Sequence, residues 1–538
     1  LVPNLFIPDY GSHLTSAFYI RGVGSRINAP AVGMYVDNIP YLDKSAFDFN
    51  FMDVERVDVM RGPQGTLYGR NAMGGIVRVF TKNPFHYRGT EVKMGYSTGD
   101  NNRNVTVSHH HRLNDSFAFS AGGYYVGSDG FFKNDLTGKK VDGIQTVGGR
   151  LRGIYKANDR LTMDLSLNYD YCDEGAYPYY YAGSLTEKEP YADYVGKISN
   201  NNESRYRRNM LNTGLNISYD LGEVEIRSVT SFQNLCDRMF QDQDFLPRDI
   251  YTMEQRQRIN TLTEEVTARS KHGAIWNWVG GLNVTKQWLR TEGPVTFGKD
   301  GVAMLEQNIN SVLPENPPMS INFRGENLRM GGIFETPMLN LGVFHQSVFN
   351  ITKALSLTAG IRLDYEKNSI NYDTSSSVDY GFSMPSMHVD FQDLTANITE
   401  YDGKINRDRF NVLPKVALKY DFDANNNVYM SVARGMRSGG YNIQMFSDLL
   451  QGAMQKKMMD GVKEATFAYL DKNMPMMADK IKMMISAVMP KVELSGVETV
   501  AYSPEFSWNY EVGTHLTLAD RTLMLDGALF YNRVNDMQ

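Results

Sequence analysis

From Thr90 onward the chain alternates between apolar and polar positions. Leu161, Met163, Leu165, Leu167, Tyr169 and Tyr171 interleave with Thr162, Asp164, Ser166, Asn168 and Asp170, and a period of two predicts a strand with one apolar and one polar face. The pattern returns over 211–219 and at Leu355, Leu357, Ala359, Ile361, Leu363 and Tyr365. Short connections at 112–116, 157–160, 220–222, 352–354 and 519–521 alternate with long polar excursions at 127–144, 172–207, 290–341 and 368–409. A soluble sandwich has no reason to gather its long connections at one end, whereas an outer-membrane barrel does, with apolar side chains facing lipid and polar ones facing the lumen. The spacing predicts about 15 antiparallel strands of about 9 to 12 residues between Thr90 and Val534, a length that suits tilted membrane strands.

Two stretches break the period. Residues 20–84 open IRGVGSRINAPAVGMYVDNIPYLD and close DVERVDVMRGPQGTLYGRNAMGGIVRVFTKNP, the composition of a compact, glycine-punctuated mini-domain. Within about 447–490, Leu450, Met454, Met458, Val462, Ala465 and Tyr469 recur at helical spacing, and after Pro475 so do Met477, Ile481, Met484 and Val488. This predicts a helical hairpin inserted in an extracellular loop, with adaptable packing favoured over a methionine metal site.

Composition narrows the classes. A chain of 538 residues exceeds one ordinary soluble core. Hydrophobic residues make up 42 %, yet no apolar run approaches the roughly 18 residues a spanning helix needs. Mean hydropathy is −0.39, which a barrel tolerates because only alternate residues meet lipid. Lys and Arg number 55 against 61 Asp and Glu, so no basic surface invites nucleic acid. Cys172 and Cys236 are the only cysteines; they form no disulfide framework and no zinc site, and a loop disulfide and two free thiols both remain open. His109, His110 and His111 sit in one strand, where neighbours point to opposite faces, so a structural role at the periplasmic end is expected rather than a metal site. No nucleophilic triad, fixed carboxylate pair or nucleotide loop is present, which argues against an enzyme and against a bound cofactor. Residues 1–12 carry no charged region followed by an apolar one, as a signal peptide would.

The motifs carry a resemblance. RGPQG at 61–65 (Arg61, Gly62, Pro63, Gly65), TLYGRN at 66–71 (Tyr68, Gly69, Arg70) and Gly74-Gly75 follow IRG at 20–22 and YVDNIPY at 35–41. LPKVALKY at 413–420, YMSVARGMRSGGYN at 429–442, Pro504-Glu505, YEVG at 510–513 and ALFY at 528–531 continue the match. In these residues the chain is similar to the TonB-dependent outer-membrane receptors of the siderophore-receptor type.

That resemblance implies an α/β plug domain at 1–85 inside the lumen of a 22-stranded transmembrane barrel. The barrel occupies 86–538, with the TonB box and closing strands expected outside the chain at its two ends. It implies the outer membrane as location, barrel lipid around the wall, and TonB with its inner-membrane motor as partner. The implied activity is active uptake of a large scarce solute, foremost a ferric siderophore, with haem, cobalamin or oligosaccharide as alternatives. A passive porin or an adhesin would have no use for an obstructing plug. Ligand contacts are expected from the apical loop after Arg21, with Arg26 and Asn28, and from 41–49, with Tyr41, Asp43, Lys44 and Phe47. Tyr177, Tyr179, Tyr180 and Tyr181 supply aromatic area, and the basic residues would suit an anionic ligand. On the strand at 506–517, Glu511 faces the lumen with Asn509 and Gly513. It is expected, with Glu265, to latch the plug through Arg61 and Arg70; an independently solvated lumen carboxylate is the alternative.

Overall fold

The computed structural model describes residues 2–25, 29–183, 191–271, 275–314, 317–399, 401–519 and 522–537. Among these, nineteen strands stand in ring order, from Gly89–Ser97 to Leu523–Asn535. Four of them, Val295–Phe297, Ser320–Arg324, Leu328–Glu335 and Val389–Ile398, are short additions beside longer strands, which leaves fifteen long strands in an antiparallel meander. The two strands that border the seam of the ring are the most exposed of the wall.

The exposure pattern identifies the solvent of each face. Leu151, Leu165, Leu167, Leu282, Val284 and Leu363 are exposed, while Arg150, Ser166, Asp170, Arg208, Asn212 and Arg362 are buried. A water-soluble protein does the reverse; a transmembrane barrel does this. The short turns at one end are built from side-chain chemistry. Asn114 Oδ1 accepts from the N–H groups of Ser116 and Phe117, Asn158 Oδ1 from those of Arg160 and Leu161, and Thr352 Oγ1 from those of Ala354 and Leu355. Each side chain replaces a backbone partner and reverses the chain within a few residues.

The other end departs from the sequence expectation. The strand Leu355–Met384 has 30 residues, whereas the hydrocarbon core takes only about 9–11 residues of a tilted strand. Its outer half pairs with Ser320–Arg324 and Val389–Ile398. Much of the excursion expected at 368–409 is therefore strand, and the one at 290–341 holds a helix, Lys299–Ser311, and three short strands. Alternation continues past the membrane because this extension buries a core of its own. Ile321, Phe334, Tyr380, Phe382 and Ile398 pack there against Phe446, Leu450, Met454 and Met458. The last four lie on the helix Met445–Asn473, which is followed by Ala478–Val488. Met454 and Met458 are buried in this core, and the Tyr380 hydroxyl donates to Met458 O at 3.1 Å; Met477 and Met484, expected at the same helical spacing, are exposed. No helix among the described residues is long and apolar enough to cross a membrane.

The plug lies within the ring. Its sheet runs in the order Ile39–Tyr41, Val32–Val36, Gly75–Thr81, Val54–Arg61, with the central pair parallel and the outer pairs antiparallel. The hairpin turn at Asp37 and Asn38 has φ of 48° and 72°, the left-handed backbone that Asp and Asn accept most readily after glycine. The plug is too small to bury its own apolar surface. Met34, Val36, Tyr41 and Phe47 instead pack against wall residues Met210, Leu235 and Ile259.

Cys172 is buried within the ring, and Cys236 lies between the buried, inward-facing Leu235 and Asp237, pointing outward. The two thiols are free. His110 points inward, 3.7 Å from Asp53, while His109 and His111 stack on the other face.

Candidate functional site

The plug is held by charges on both sides of its boundary with the wall. Arg21 Nη1 lies 2.5 Å from Glu511 Oε2, with side chains 3 % and 9 % exposed. The Tyr429 hydroxyl donates to the other carboxylate oxygen at 2.7 Å, and Phe530 covers the guanidinium at 4.3 Å. The expected partners were Arg61 and Arg70. Arg70 instead directs Nη1 at Met338 Sδ, 2.9 Å away, whereas Arg61 stays within electrostatic reach of Glu511, and Gly62 beside it packs over the Arg21–Glu511 pair. Glu265 lies in electrostatic reach of Arg78, Arg227 and Arg362. Burial, then the charge of Glu265, push the phenol of plug residue Tyr35 up. Arg21 is thus a seat of the plug rather than a ligand contact.

Further holds come from arginines of the wall, a direction the sequence pattern does not predict. Arg208 donates to Ser45 O and Asp48 O, both at 2.6 Å, and to Asp170 Oδ1 at 2.5 Å. Arg437 donates to Ala29 O at 2.7 Å, to Ser25 Oγ at 2.6 Å and to Glu505 at 3.1 Å. Arg150 pairs with Asp37, whose carboxylate also accepts from Thr81 N at 3.0 Å and Thr81 Oγ1 at 2.8 Å. Burial would raise the Asp37 carboxyl, but Arg150, Arg152 and the Thr81 amide outweigh it and hold it below the ordinary carboxylate range. A guanidinium suits this work because its fixed fork meets two carbonyls at once.

The glycine motif abuts the wall. A Cβ at Gly65 would meet Arg434 O at 2.9 Å, and one at Gly69, where φ is +72°, would meet the Arg362 guanidinium at 2.7 Å. Around them Thr66 Oγ1 donates to Leu413 O at 3.2 Å and Asn71 N to Met436 O at 3.0 Å. The motif is a contact surface, and its glycines set how near the wall can come.

Above the plug opens a cavity of about 620 Å3. Asp43, Lys44 and Arg70 line it from the plug, Tyr177 and Tyr179 from the wall. The other expected contacts lie elsewhere. Tyr41 stacks on Phe49 in the plug core, and Phe47 is buried beside it. Tyr180 is exposed, and Tyr181 packs on Tyr191. Arg26 and Asn28 fall outside the described residues. Sequence reasoning missed the dominant lining, namely Gln241, Gln243, Gln255, Gln257 and Gln287, with Met239, Met253 and Met338 and the aromatic residues Phe245, Tyr441 and Tyr502. The signal was present as pairs of glutamines two apart at strand ends, which place both amides on one face. A second cavity of about 500 Å3 lies among the outer loops and touches no plug residue.

A plug sheet at residues 32–81, seated in an antiparallel ring, matches two family models. Residues 1–76 match the TonB-dependent Receptor Plug Domain, and 155–538 match the TonB dependent receptor-like beta-barrel. The chain belongs to the TonB-dependent receptor family. These are receptors of the outer membrane, where the lipid-facing belt of this wall also belongs. The TonB-dependent receptor described here is 23 % identical to the pesticin receptor of Yersinia pestis, over all of this chain and 65 % of that protein. It therefore spans about two thirds the length of the curated relatives it matches. The solved ferric yersiniabactin uptake receptor FyuA from Yersinia pestis superposes with a TM-score of 0.68 at 20 % identity, over the whole chain and 69 % of FyuA. The ferripyoverdine receptor of the Pseudomonas aeruginosa outer membrane, bound to ferripyoverdine, gives 0.60 at 13 % identity, covering 99 % of this chain and 59 % of that one.

Proposed function

We propose that this receptor imports a ferric siderophore across the outer membrane, drawing energy through TonB from an inner-membrane motor, and catalyses no reaction. The observation that carries the reading is the cavity. It lies between plug and wall, so a ligand seated there touches both the fixed and the movable body. The receptors for ferric yersiniabactin and ferripyoverdine share the fold and support the same substrate class. The lining refines it. Six glutamines, Gln444 among them, and three methionines dominate, while Asp43, Lys44 and Arg70 leave only one net positive charge. Such a surface recognises by hydrogen bonding and packing, which suits a ferric complex with a neutral, amide- or aromatic-rich periphery better than a strongly anionic one. The plug latch through Arg21 and Glu511 belongs to this reading as the contact that must open for passage.

The test is growth of a strain lacking the gene on single ferric siderophores, alongside binding of each to the purified receptor. Loss of growth on one near-neutral complex, with binding of that complex, supports the proposal. Unchanged growth on every ferric source, or binding only of iron-free solutes, overturns it.

A further inference from the structure

At the outer rim of the lumen, three donors of different chemistry meet where plug and wall touch. Cys172 and Glu174 are two apart on the strand Leu161–Gly175, so both point inward. His13 comes from the plug, on a short 3-10 turn whose preceding residue, Ser12, caps it. One nitrogen of His13, the thiol sulfur of Cys172 and a carboxylate oxygen of Glu174 all lie within 4.8 Å of one another, and all three side chains are largely buried.

We infer that His13, Cys172 and Glu174 form a binding site for a borderline divalent cation of the Zn2+ class, which ties the plug to the wall. Imidazole, thiolate and carboxylate in one buried cluster are the donors such an ion takes, with a fourth position open to water. The surroundings already hold Glu174 and His13 in place. Glu174 Oε1 accepts from Ser12 Oγ at 2.9 Å and from the His13 amide at 2.8 Å, leaving Oε2 to face His13 Nδ1 at 2.5 Å. The other ring nitrogen of His13 faces Asp48 Oδ1 at 3.8 Å, and Asp48 is itself anchored by Ser16 Oγ at 2.7 Å. Asp48 stands on the side where a carboxylate orients a ligating histidine, a step short of hydrogen-bond distance. Leu14, Ala176, Tyr177, Tyr206 and Met239 form an apolar cluster alongside, which keeps bulk water away. A cysteine serving only as a small hydrophobe would sit among such residues; Cys172 faces the imidazole and the carboxylate instead. On binding, the cation takes the place of the proton shared by His13 and Glu174 and displaces the thiol proton of Cys172. Both protons go to solvent.

The experiment uses the whole receptor, purified in detergent, reduced and stripped with a chelator, then titrated with Co2+ and challenged with Zn2+. The expected result is one Co2+ per chain with a near-ultraviolet thiolate charge-transfer band, which Zn2+ abolishes. The band is expected to vanish in Cys172→Ser and persist in Cys236→Ser, and Co2+ affinity to fall at least about 100-fold in His13→Gln. Heat-modifiable migration on a gel verifies that each variant keeps its barrel. Glu174→Gln serves as a second ligand variant should Cys172→Ser lose it. Absence of the band in the parent protein, its survival in Cys172→Ser, or unchanged affinity in both His13→Gln and Glu174→Gln overturns the site.

Discussion

Arg21 of the plug and Glu511 of the wall meet at 2.5 Å with almost no solvent around them. Removing one member of a buried pair strands the other charge, at a cost of about 3–5 kcal/mol, whereas replacing both by apolar groups of similar volume is close to neutral. Glu511→Gln is therefore expected to loosen the plug, read as faster limited proteolysis of residues 1–85 and greater sensitivity of cells to large antibiotics. The double variant Arg21→Met/Glu511→Leu is expected to be milder than either single change. Equal proteolysis in Glu511→Gln and parent would show that the pair holds nothing.

Arg208 spans two plug carbonyls and one wall carboxylate. A lysine carries the charge but not the fork. Arg208→Lys is expected to lose protection of the Lys44–Ala46 turn in hydrogen exchange while leaving the barrel strands protected. Unchanged exchange in that turn would remove Arg208 from the list of plug anchors.

Seating of the plug should depend on pH through Asp37. Its carboxyl titrates below the ordinary 3.8 when docked and near that value when released. A depressed pKa contributes stability that is complete above pH about 3.8 and is lost as pH falls through the docked value. Plug release, followed by proteolysis after acid pulses, is expected to rise on that acid limb. In Asp37→Asn the limb should flatten, with weaker seating at neutral pH.

Gly69 combines a left-handed backbone with a guanidinium 2.7 Å from where a Cβ would sit. Gly69→Ala is expected to cost at least about 1–3 kcal/mol of plug seating, visible as a lower thermal midpoint for the plug alone. Gly222→Ala, at φ +92° but with open space around it, should lack the steric part and spare the plug.

The near-neutral lining of the cavity makes Gln257→Glu informative. A carboxylate there is expected to weaken a near-neutral ferric complex about tenfold, or roughly 1.4 kcal/mol, and an anionic one by more. Isothermal titration with complexes of different charge measures both.

Sequence pattern made the wall legible because lipid and lumen impose opposite demands on alternate residues, and each strand carries that record locally. The motif at Arg61 to Gly75 was equally visible, since close approach to another backbone demands glycine. Pairings across the plug boundary were not. Arg208 and Ser45 are 163 positions apart, and nothing in either neighbourhood specifies the other. The choice of Arg21 over Arg70 as partner for Glu511 follows from how the plug is rotated within the ring. The outer extension of Leu355–Met384 read as loop for a different reason: its apolar positions answer to helices inserted from distant parts of the chain, so its own composition understated it.

Because Arg208 meets the plug only through the carbonyl oxygens of Ser45 and Asp48, and Arg437 meets it through one carbonyl and the Ser25 hydroxyl, their hold is indifferent to much of the sequence they hold. Those two anchors lie toward the outer rim, whereas Arg150 and Arg152 lie deeper. A tug delivered from the periplasm would reach them in turn, peeling the domain away one fastening after another instead of shearing all of them together. Under the import proposed above, a motor working through such a sequence would meet a lower peak force than one that had to break every fastening at once.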